Sequence, residues 1–342
     1  MDGQAAERAM RAAIAAASGA HGRTSPNPPV GAVITAPDGR VAGTGATAPP
    51  GGSHAEVLAL RAAGERARGG TAFVTLEPCA HQGRTPPCTA ALADAGVAAV
   101  HYAVADPNPL AAGGAEVLRA NGIEVRGGLL AEEVRSGVLR AWLHRTRTGR
   151  PHVTWKYAST LDGRVAAADG TSRWISGERS RAEVHALRRT ADAIVAGTGT
   201  VRVDDPWLTA RDPDGGLAGR QPLRVVVGTG DLPPGARVLD DSAETIHLRT
   251  RDPGEVLDVL GGRGVVDVLL EGGPTVAGAF AAAGRIDRIL AYLAPMLLGA
   301  GPVALGAAGV STITGAHRWT VEEVTMSGDD VRIAAVPAAT GA

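Results

Sequence analysis

Short β-rich apolar segments alternate with helical segments along this 342-residue chain, and this alternation constrains the fold more than any other feature. Strands and helices that alternate in this way pack as sheets covered by helices, so the pattern indicates the α/β class. A breaker cluster, Thr148 to Pro151, interrupts the pattern directly before the strand-like segment His152 to Ala158. The chain is also longer than one hydrophobic core usually supports. The sequence therefore predicts two α/β domains, residues 1–148 and 149–342.

The first half is expected to contain helices, strands and one long loop in a mixed order. Hydrophobic spacing and turn residues place these elements. Helices are predicted at residues 5–17, His54 to Ala67, Cys88 to Ala95 and Val134 to Arg147; strands at Val30 to Thr35, after the Asp38-Gly39 turn, at Thr71 to Leu76 and at Val97 to Val104; and a Gly/Pro-rich loop at Gly43 to Ser53.

The second half repeats the alternation. After the strand that opens it, strands are predicted at Ala193 to Gly197, Leu223 to Gly228, Val265 to Glu271 and Ile286 to Leu293; helices near Glu178 to Arg189 and Thr275 to Ala283; and surface loops at Asp212 to Arg220 and Gly230 to Ala236.

Charge and hydropathy narrow the classes of partner. The net charge is -1 with both signs spread along the chain, which gives no basic footprint for a long nucleic acid and favours a small polar substrate. No apolar run reaches the ~20 residues that a membrane span needs, and Met1 to Ser18 lacks the pattern of a signal peptide. We therefore expect a cytoplasmic protein with no membrane partner. In that reducing compartment, Cys79 and Cys88 are poor candidates for a disulfide.

A metal site would explain the two cysteines. His54 opens a predicted helix, and Cys79 and Cys88 lie in the later segment EPCAHQGRTPPC. One imidazole and two thiolates leave the fourth position of a zinc ion for water, as in catalytic rather than structural sites. Zinc lowers the pKa of that water toward neutrality and so supplies hydroxide. Both cysteines are expected to begin helices, after Pro78 and Pro87, where the helix dipole favours the thiolate.

Glu56 is the candidate proton carrier beside this metal. It lies two positions after His54 on the first helical turn, where it need not bind the metal itself. His-x-Glu followed by Pro-Cys and a second cysteine is the signature of zinc nucleobase deaminases, although here the two cysteines are further apart than in Cys-x-x-Cys. The alternative is that Cys79 and Cys88 are small buried apolar residues and His54 is only a polar helix start.

Two glycine turns follow predicted strands in the second half. Gly197 to Thr200 and Glu271 to Thr275 would let backbone amides approach a phosphate, although such turns are often only turns. Neither matches Gly-x-Gly-x-x-Gly, so a Rossmann cofactor site is not predicted. Lys156 is the only lysine in a chain that otherwise uses arginine, which hints at a task such as proton donation.

The first half resembles the bifunctional deaminase–reductase proteins of riboflavin biosynthesis. The resemblance rests on PNPPVG from Pro26 to Gly31, on HAE from His54, on TLEPCAHQGRTPPC from Thr75, which carries the family's own long inter-cysteine loop, and on DPNP from Asp106. It implies a cytidine-deaminase-like α/β/α domain in which His54, Cys79 and Cys88 bind Zn²⁺ and Glu56 is the proton shuttle. It also implies substrate contacts from Asn27, His81 and Arg84. Thr47 stands where many members carry a histidine.

The second half resembles the reductase domain of the same family through KYASTLDGRVA, TSRWISG, GTGTVRVDDPWLTAR and LLEGGPTVAGA, which begin at Lys156, Thr171, Gly197 and Leu269. The resemblance implies a dihydrofolate-reductase-like α/β domain that uses NADPH. Lys156 and Asp204 are candidates to assist the chemistry. Substrate contacts are implied for Ser172, Arg188, Arg211 and Glu271, and NADPH contacts for Ala158, Trp174, Thr200, Asp204, Thr229, Gly273, Pro274, Thr275, Val276, Ala277, Gly278 and Ala279.

The resemblance implies an enzyme that catalyses two successive reactions on a small phosphoribosyl pyrimidine. Hydrolytic deamination of 2,5-diamino-6-(5-phosphoribosylamino)pyrimidin-4(3H)-one is followed by reduction of the ribosyl side chain to ribityl. A homo-oligomer is expected. Two rivals stay open at this point: a zinc deaminase of another aminopyrimidine or nucleoside joined to an unrelated reductase, and a non-catalytic, zinc-stabilised sensor of flavin precursors.

Overall fold

A computed structural model describes residues 2–81 and 86–339. The chain divides into two compact units, Met1–Gly149 and Arg150–Ala342. This division lies one residue from the boundary between residues 148 and 149 that the breaker cluster predicts. Each unit has its own sheet and its own hydrophobic core. Within the described ranges, none of the helices combines the length and the hydrophobicity that crossing a bilayer requires.

The first unit contains one sheet with helices around it. Asp2 begins the first helix because its carboxylate accepts a hydrogen bond from the Ala5 amide at 2.6 Å. The helices are α1 (Gly3–Ala20), α2 (Ala55–Ala63), α3 (Cys88–Asp94), α4 (Gly114–Ala120), α5 (Ala131–Ser136) and α6 (Arg140–Thr148), and the strands are β1 (Gly31–Thr35), β2 (Val41–Ala46), β3 (Thr71–Leu76), β4 (Ala99–Val104) and β5 (Glu124–Gly127).

The five strands lie in the order β2-β1-β3-β4-β5, with β1 antiparallel to both neighbours and β3, β4 and β5 parallel. The carboxyl ends of the three parallel strands therefore meet at one edge of the sheet. The loops that follow β3 and β4 are brought together there, which matters for the site described below.

Glycines let α1 and α2 pack closely on opposite faces of this sheet. A Cβ at Gly31 would lie 1.9 Å from the Ala13 carbonyl oxygen of α1, and a Cβ at Gly45 would lie 2.4 Å from the Ala55 carbonyl oxygen of α2. Gly45 pairs with Ala32, so these two residues point to the same face of the sheet. Gly31 is one residue earlier in β1 and therefore points to the opposite face. The unit is thus an α/β/α sandwich.

Replacing Gly31 by alanine should destabilise the first unit strongly. The added methyl group would overlap backbone atoms of α1, which cannot move aside as a flexible side chain would. Overpacking of this kind costs about 3 kcal/mol in the free energy of unfolding. Gly19→Ala on α1 is the matched control because no atom lies within 4 Å of its Cβ position, and it should stabilise by up to about 1 kcal/mol. Urea unfolding followed by circular dichroism measures both changes; equal stabilities would contradict this packing account.

Two of the element boundaries predicted for the first unit are wrong. The Gly/Pro-rich segment does not begin as a loop at Gly43, because Gly43 to Ala46 belong to β2 and their glycines serve the contact with α2. The basic segment Val134 to Arg147 is not one helix: α5 ends at Ser136 and α6 begins at Arg140, with Gly137 in a non-helical conformation between them. A glycine costs a helix conformational entropy, and here it ends one.

The second unit has an eight-stranded sheet. Its strands are β6 (His152–Thr160), β7 (Ala193–Gly197), β8 (Leu223–Val227), β9 (Thr245–Leu248), β10 (Asp267–Leu270), β11 (Arg288–Ala294), β12 (Trp319–Ser327) and β13 (Asp330–Pro337), and its helices are α7 (Glu178–Thr190), α8 (Thr198–Asp204), α9 (Pro253–Gly262) and α10 (Pro274–Ala282). The strand order is β12-β13-β11-β6-β10-β7-β8-β9.

Six neighbouring strands of that sheet, from β11 to β9, run parallel, while β13 and β12 add an antiparallel hairpin at one side. The central strands β7, β8 and β10 are almost entirely buried, which explains their continuous runs of Val, Ile and Leu. Ligands of open parallel sheets bind beyond the carboxyl ends of the strands. The segments after β7, β8, β9 and β10 therefore mark the edge where a substrate and a cofactor would lie.

Candidate active sites

The three predicted metal ligands come from three neighbouring elements of the first unit. His54 is the residue directly before α2, Cys79 lies in the loop after β3, and Cys88 is the first residue of α3. Both cysteines are free thiols and buried. The fold therefore brings together side chains that are up to 34 positions apart in the sequence.

The spacing of their donor atoms fits one tetrahedral ion. His54 Nδ1 lies 3.2 Å from Cys88 Sγ and 3.6 Å from Cys79 Sγ, and all three ligand atoms lie within 4.8 Å of one another. Two ligands of a tetrahedral zinc ion, one nitrogen and one sulfur, are about 3.5 Å apart. Among residues 2–81 and 86–339, no other group of three His, Cys, Asp or Glu residues meets this criterion. The donor set therefore fits zinc with one position left open.

The expectation that both cysteines begin helices holds for Cys88 and is wrong for Cys79. Cys79 remains in an irregular loop, and its sulfur accepts a hydrogen bond from the Cys88 amide at 3.4 Å. The pKa of the Cys79 thiol is lowered because the Cys88 thiol also donates a hydrogen bond to it and because His54 faces it. Hydrogen-bond donors from the backbone and from side chains, and not a helix dipole, therefore favour the thiolate form of Cys79.

Glu56 lies beside the metal ligands and outside their set. Its side chain, on the first turn of α2, is only 4% exposed and contacts the Cys88 thiol. Burial raises the pKa of Glu56 to about 7, because the carboxylate loses its hydration. A carboxyl group with a pKa near neutrality can both accept and donate a proton at physiological pH.

His54, Glu56 and Cys79 line one cavity of about 660 Å³, a volume suited to a small ligand. Asn27 and His81, both predicted to contact the substrate, also line it. Arg84 lies outside the described residues. Thr47 lines the cavity too, but its hydroxyl accepts a hydrogen bond from the Val30 amide at 3.1 Å, so this oxygen is already engaged by the backbone.

Three polar cavity residues were not assigned a role from the sequence. Asp106 and Asn108 follow β4, and Glu77 in the loop after β3 accepts a hydrogen bond from the Asp106 amide at 3.2 Å. Burial raises the pKa of Asp106. The parallel pairing of β3 and β4 is the signal that would have placed both loops at one site. Trp142 of α6 also lines the cavity, and no local sequence signal indicates it.

Cys88→Ser should abolish zinc binding by the purified protein. Zinc prefers thiolate to hydroxyl ligands, and the remaining imidazole and single thiolate make an incomplete site. We expect the zinc content to fall from about one ion per chain to less than about 0.1. Elemental analysis after dialysis measures it. Full zinc occupancy in the variant would contradict the three-ligand site. As a control, alkylation of the wild-type protein under denaturing conditions counts its reduced cysteines and so shows that both thiols are available for zinc.

In the second unit, Lys156 lies near a buried ion pair. Arg188 donates to both carboxylate oxygens of Glu271, at 2.7 and 2.8 Å, and to the Thr209 carbonyl oxygen at 3.0 Å. Burial lowers the pKa of the half-buried Lys156, and Glu271 opposes that effect. No described residue accepts a hydrogen bond from the Lys156 ammonium, which lies 6.0 Å over the ring centroid of Tyr292. The structure thus brings Lys156, Arg188 and Glu271 together.

Other predicted reductase residues make separate contacts in the second unit. The Ser172 hydroxyl donates to Asp204 Oδ1 at 3.4 Å. Trp174 is 66% exposed and stacks on Arg181. Arg211 donates to the Gly215 carbonyl oxygen at 2.8 Å, within its own loop. No described contact joins Asp204 to Lys156, so the pairing of these two candidates for the chemistry stays a prediction.

The glycine turns after β7 and β10 adjoin each other. The Gly273 amide donates to Thr200 Oγ1 at 3.0 Å, and a Cβ at Gly272 would lie 3.3 Å from the Gly197 amide nitrogen. The Thr275 amide at the start of α10 has no acceptor among the described residues. This open turn fits a cofactor phosphate. Further along α10, Ala277 is fully buried and Gly278 packs against the Ala307 carbonyl oxygen, so these two residues of the predicted turn do not face outward.

Both halves match known protein families. Residues 4–104 match the family described as the cytidine and deoxycytidylate deaminase zinc-binding region, and residues 151–333 match the RibD C-terminal domain. A crystal structure of a diaminohydroxyphosphoribosylaminopyrimidine deaminase/5-amino-6-(5-phosphoribosylamino)uracil reductase from Thermotoga maritima is similar with a TM-score of 0.87 and 33% identity, over 98% of this chain and 99% of that one. The predicted fold class of both domains is confirmed.

Curated relatives extend the similarity over almost the whole length. The riboflavin biosynthesis protein RibD of Mycobacterium tuberculosis is 57% identical over 96% of this chain and 97% of its own. The RibD protein of Corynebacterium ammoniagenes is 47% identical over 91% of this chain and 92% of its own. With a zinc-type donor set in one unit and two adjoining glycine turns at the carboxyl ends of the strands in the other, the chain belongs to the RibD family of riboflavin biosynthesis proteins, enzymes that join a deaminase to a reductase.

Proposed function

We propose that the first unit deaminates 2,5-diamino-6-(5-phosphoribosylamino)pyrimidin-4(3H)-one and that the second unit then reduces the ribosyl side chain to ribityl. One observation carries the proposal. An imidazole, one sulfur atom and a buried carboxyl group line a single cavity large enough for a small heterocyclic substrate, and the second sulfur atom lies within 4.8 Å of the other two donor atoms. Family membership supports both activities.

In the deaminase, His54, Cys79 and Cys88 would hold zinc, which when bound acidifies a water molecule. Glu56 takes the proton from the attacking water and delivers it to the ring nitrogen. It then takes the remaining proton from the hydroxyl group that has added to C2 and delivers it to the 2-amino group; the C–N bond breaks, the C2 carbonyl forms and ammonia leaves. Its burial next to the ligands supports this role, because a carboxylate that does not coordinate the metal keeps its oxygens for proton transfer.

Substrate contacts in this cavity follow from the chemistry of its lining. The Asn27 amide can donate to and accept from the pyrimidine edge at the same time. His81 lines the cavity and is proposed to contact the ribose phosphate, and Arg84 is proposed from the sequence alone to bind the same phosphate through two hydrogen bonds. The Thr47 hydroxyl accepts a hydrogen bond from the Val30 amide at 3.1 Å and donates one to the Val30 carbonyl oxygen at 3.4 Å, so we do not assign it the substrate contact that a histidine at this position could make.

In the reductase, the C1′–O4′ bond of the ribosyl group breaks, and NADPH when bound supplies a hydride to C1′. The departing O4′ needs one proton. Lys156 donates it, with Glu271 and Arg188 fixing the electrostatic surroundings of the ammonium, and Asp204 assists from the Ser172 side. Substrate contacts are assigned to Ser172, Arg188, Arg211 and Glu271. NADPH contacts are assigned to Ala158, Trp174, Thr200, Asp204, Thr229 and, within the turn Gly273 to Ala279, to the residues other than the buried Ala277 and Gly278.

Ammonia release from a panel of aminopyrimidines tests the substrate assignment. The phosphoribosyl diaminopyrimidinone should be the best substrate, and cytidine, deoxycytidylate and the free diaminopyrimidinone base should react at least about 100-fold more slowly, because each lacks contacts to the phosphate or to the second amino group. A nucleoside that reacted equally well would favour the rival deaminase. Zinc binding without any ammonia release would favour the non-catalytic sensor.

The compartment and the assembly belong to the proposal as well. Phosphorylated substrates and reduced zinc-binding thiols both fit the cytoplasm. A homo-oligomer is supported by the edge strand β12, on which Val321, Val324 and Met326 are more than half exposed. With a net charge of -1, nucleic acid and membrane surfaces are not proposed as partners.

A further inference from the structure

A buried aspartate lies at the turn of the hairpin that β12 and β13 form. Asp330, the first residue of β13, is 2% exposed and follows the turn at Gly328-Asp329. Its Oδ2 atom accepts a hydrogen bond from the Gly177 amide at 2.8 Å and from the Ser180 hydroxyl at 2.5 Å. These two partners precede Asp330 by 153 and 150 positions, and both belong to the start of α7.

Asp330 supplies a cap that the sequence of α7 lacks. Gly177 is the residue directly before the helix, and it has no side chain with which to accept a hydrogen bond from the first turn. Helices usually obtain that hydrogen bond from a Ser, Thr, Asp or Asn at the cap position itself. Here a carboxyl group of a remote hairpin accepts two hydrogen bonds from the helix start. The hairpin therefore determines where α7 begins in space.

Further contacts hold the same face of α7 against the sheet. Glu183 accepts a hydrogen bond from the Tyr292 hydroxyl of β11 at 3.3 Å and from Arg332 Nη1 of β13 at 3.5 Å. Val184 packs in one cluster with Tyr292 and with Ala334 of β13. These contacts dock the body of α7 on the sheet, whereas Asp330 fixes its first residues.

The segment directly before α7, residues 172–177, carries two predicted ligand contacts of the reductase. It begins at Ser172, whose hydroxyl donates to Asp204 Oδ1, and it includes Trp174, whose ring lies 4.5 Å from the guanidinium of Arg181 on α7. Arg181 also donates to a carbonyl oxygen of the segment at 2.5 Å. One end of the segment is thus attached to Asp204 and the other to the start of α7. A shift of the helix start would move Trp174 with it.

We propose that Asp330 is a positioning residue of the reductase, which fixes the start of α7 and thereby presents Ser172 and Trp174 to the substrate and to NADPH. This inference rests on the proposed reductase function, which assigns ligand contacts to those two residues. Without the two hydrogen bonds, residues 172–177 would occupy several conformations, and the apparent affinity for both ligands would fall with the fraction that is competent to bind. The chemical step should change little, because Lys156 is held within β6.

Steady-state reduction of the deaminated phosphoribosyl pyrimidine by the full-length, zinc-loaded protein tests the proposal. Asp330→Ala should raise KM for the pyrimidine and for NADPH about 10-fold and leave kcat within about threefold of the wild type. Asp330→Asn should return both KM values to within about twofold of the wild type, because both hydrogen bonds end on one oxygen and an amide oxygen also accepts them. Ser180→Ala, which removes one of the two hydrogen bonds, should give intermediate KM values.

Asp192→Ala is the matched control for lost stability. Asp192 is also a buried aspartate, and it accepts hydrogen bonds from the Val266 and Asp267 amides at 2.9 and 3.1 Å. It lies directly before β7, at the edge of the sheet opposite to the carboxyl ends of the parallel strands. Assayed well below its melting temperature, Asp192→Ala should have wild-type KM values although its melting temperature is lowered.

The KM values separate positioning from a merely structural role. Wild-type KM values in Asp330→Ala, an equal rise of KM in the Asp192→Ala control, or an Asp330→Asn variant as impaired as Asp330→Ala would overturn the positioning role. If Asp330→Ala did not fold, the milder Ser180→Ala variant would decide in the same way. A wild-type protein that failed to oxidise NADPH with this pyrimidine would instead refute the proposed reductase function.

Discussion

Glu56→Gln is expected to slow deamination by about a thousandfold while the protein keeps its full zinc content. A positioned general acid–base group increases a reaction rate about 10²- to 10⁴-fold, and Glu56 is proposed to transfer protons to both the ring nitrogen and the leaving amino group. Gln is nearly isosteric and cannot accept a proton, so the buried site should stay packed. Steady-state ammonia release and elemental analysis of the same sample measure the two quantities.

The reductase activity of the same variant is the control. Reduction of the already deaminated phosphoribosyl pyrimidine should proceed at the wild-type rate, because Glu56 belongs to the first unit and the reductase residues to the second. If Glu56→Gln deaminated at more than about a tenth of the wild-type rate, the carboxyl group would not be the proton carrier.

Lys156→Arg is expected to slow reduction by about 10²- to 10³-fold while it preserves the positive charge beside Glu271. The guanidinium group does not release its proton at accessible pH, so it cannot supply the proton that O4′ requires. NADPH affinity and deamination should be unchanged within about twofold. Single-turnover oxidation of NADPH measures the chemical step. An arginine variant with wild-type turnover would assign Lys156 an electrostatic role only.

The same account predicts the pH dependence of reduction. Burial lowers the pKa of Lys156. Below that pKa the ammonium is present and can donate; as the pH rises through it, the donor is lost and the rate of reduction falls. The alkaline limb of the kcat profile should therefore lie below the range of an ordinary lysine, and Lys156→Arg should remove this limb.

The deaminase half could be predicted far into its chemistry because its functional residues are adjacent to secondary-structure signals. Glu56 follows His54 on the turn that opens α2, and Pro87 marks the start of α3 at Cys88. The position of Cys79 could not be inferred in the same way. Pro78 is compatible with a loop as well as with a helix start, and the tertiary hydrogen bond from the Cys88 amide decides between them.

Parts of the fold that depend on tertiary pairing were not predictable from local patterns. Most residues of β12 are exposed, so its sequence lacks the apolar pattern of a buried strand. The hairpin of β12 and β13 was therefore not predicted. Arg224 is fully buried within β8, where it binds the Asp240 carboxylate at 2.7 Å and nearby carbonyl oxygens. An arginine inside an apolar run gives no indication of such a partner, because the partner segment is remote in sequence.

Roles that rest on family resemblance alone remain predictions at single residues. Arg188 is engaged by Glu271, and Arg211 by its own loop, so each must exchange or share a partner to hold a substrate phosphate. The sequence could not reveal these competing contacts, since ion pairing between α7 and the segment after β10 depends on how the sheet is assembled.

The most direct measurement of the whole account is the stoichiometry of ammonia released and NADPH oxidised by one zinc-loaded preparation acting on the phosphoribosyl diaminopyrimidinone. The account predicts one molecule of each per molecule of substrate, with ammonia appearing first and with both signals abolished when a chelator removes the zinc. Oxidation of NADPH without prior release of ammonia, or undiminished ammonia release from protein shown to contain no metal, would contradict it.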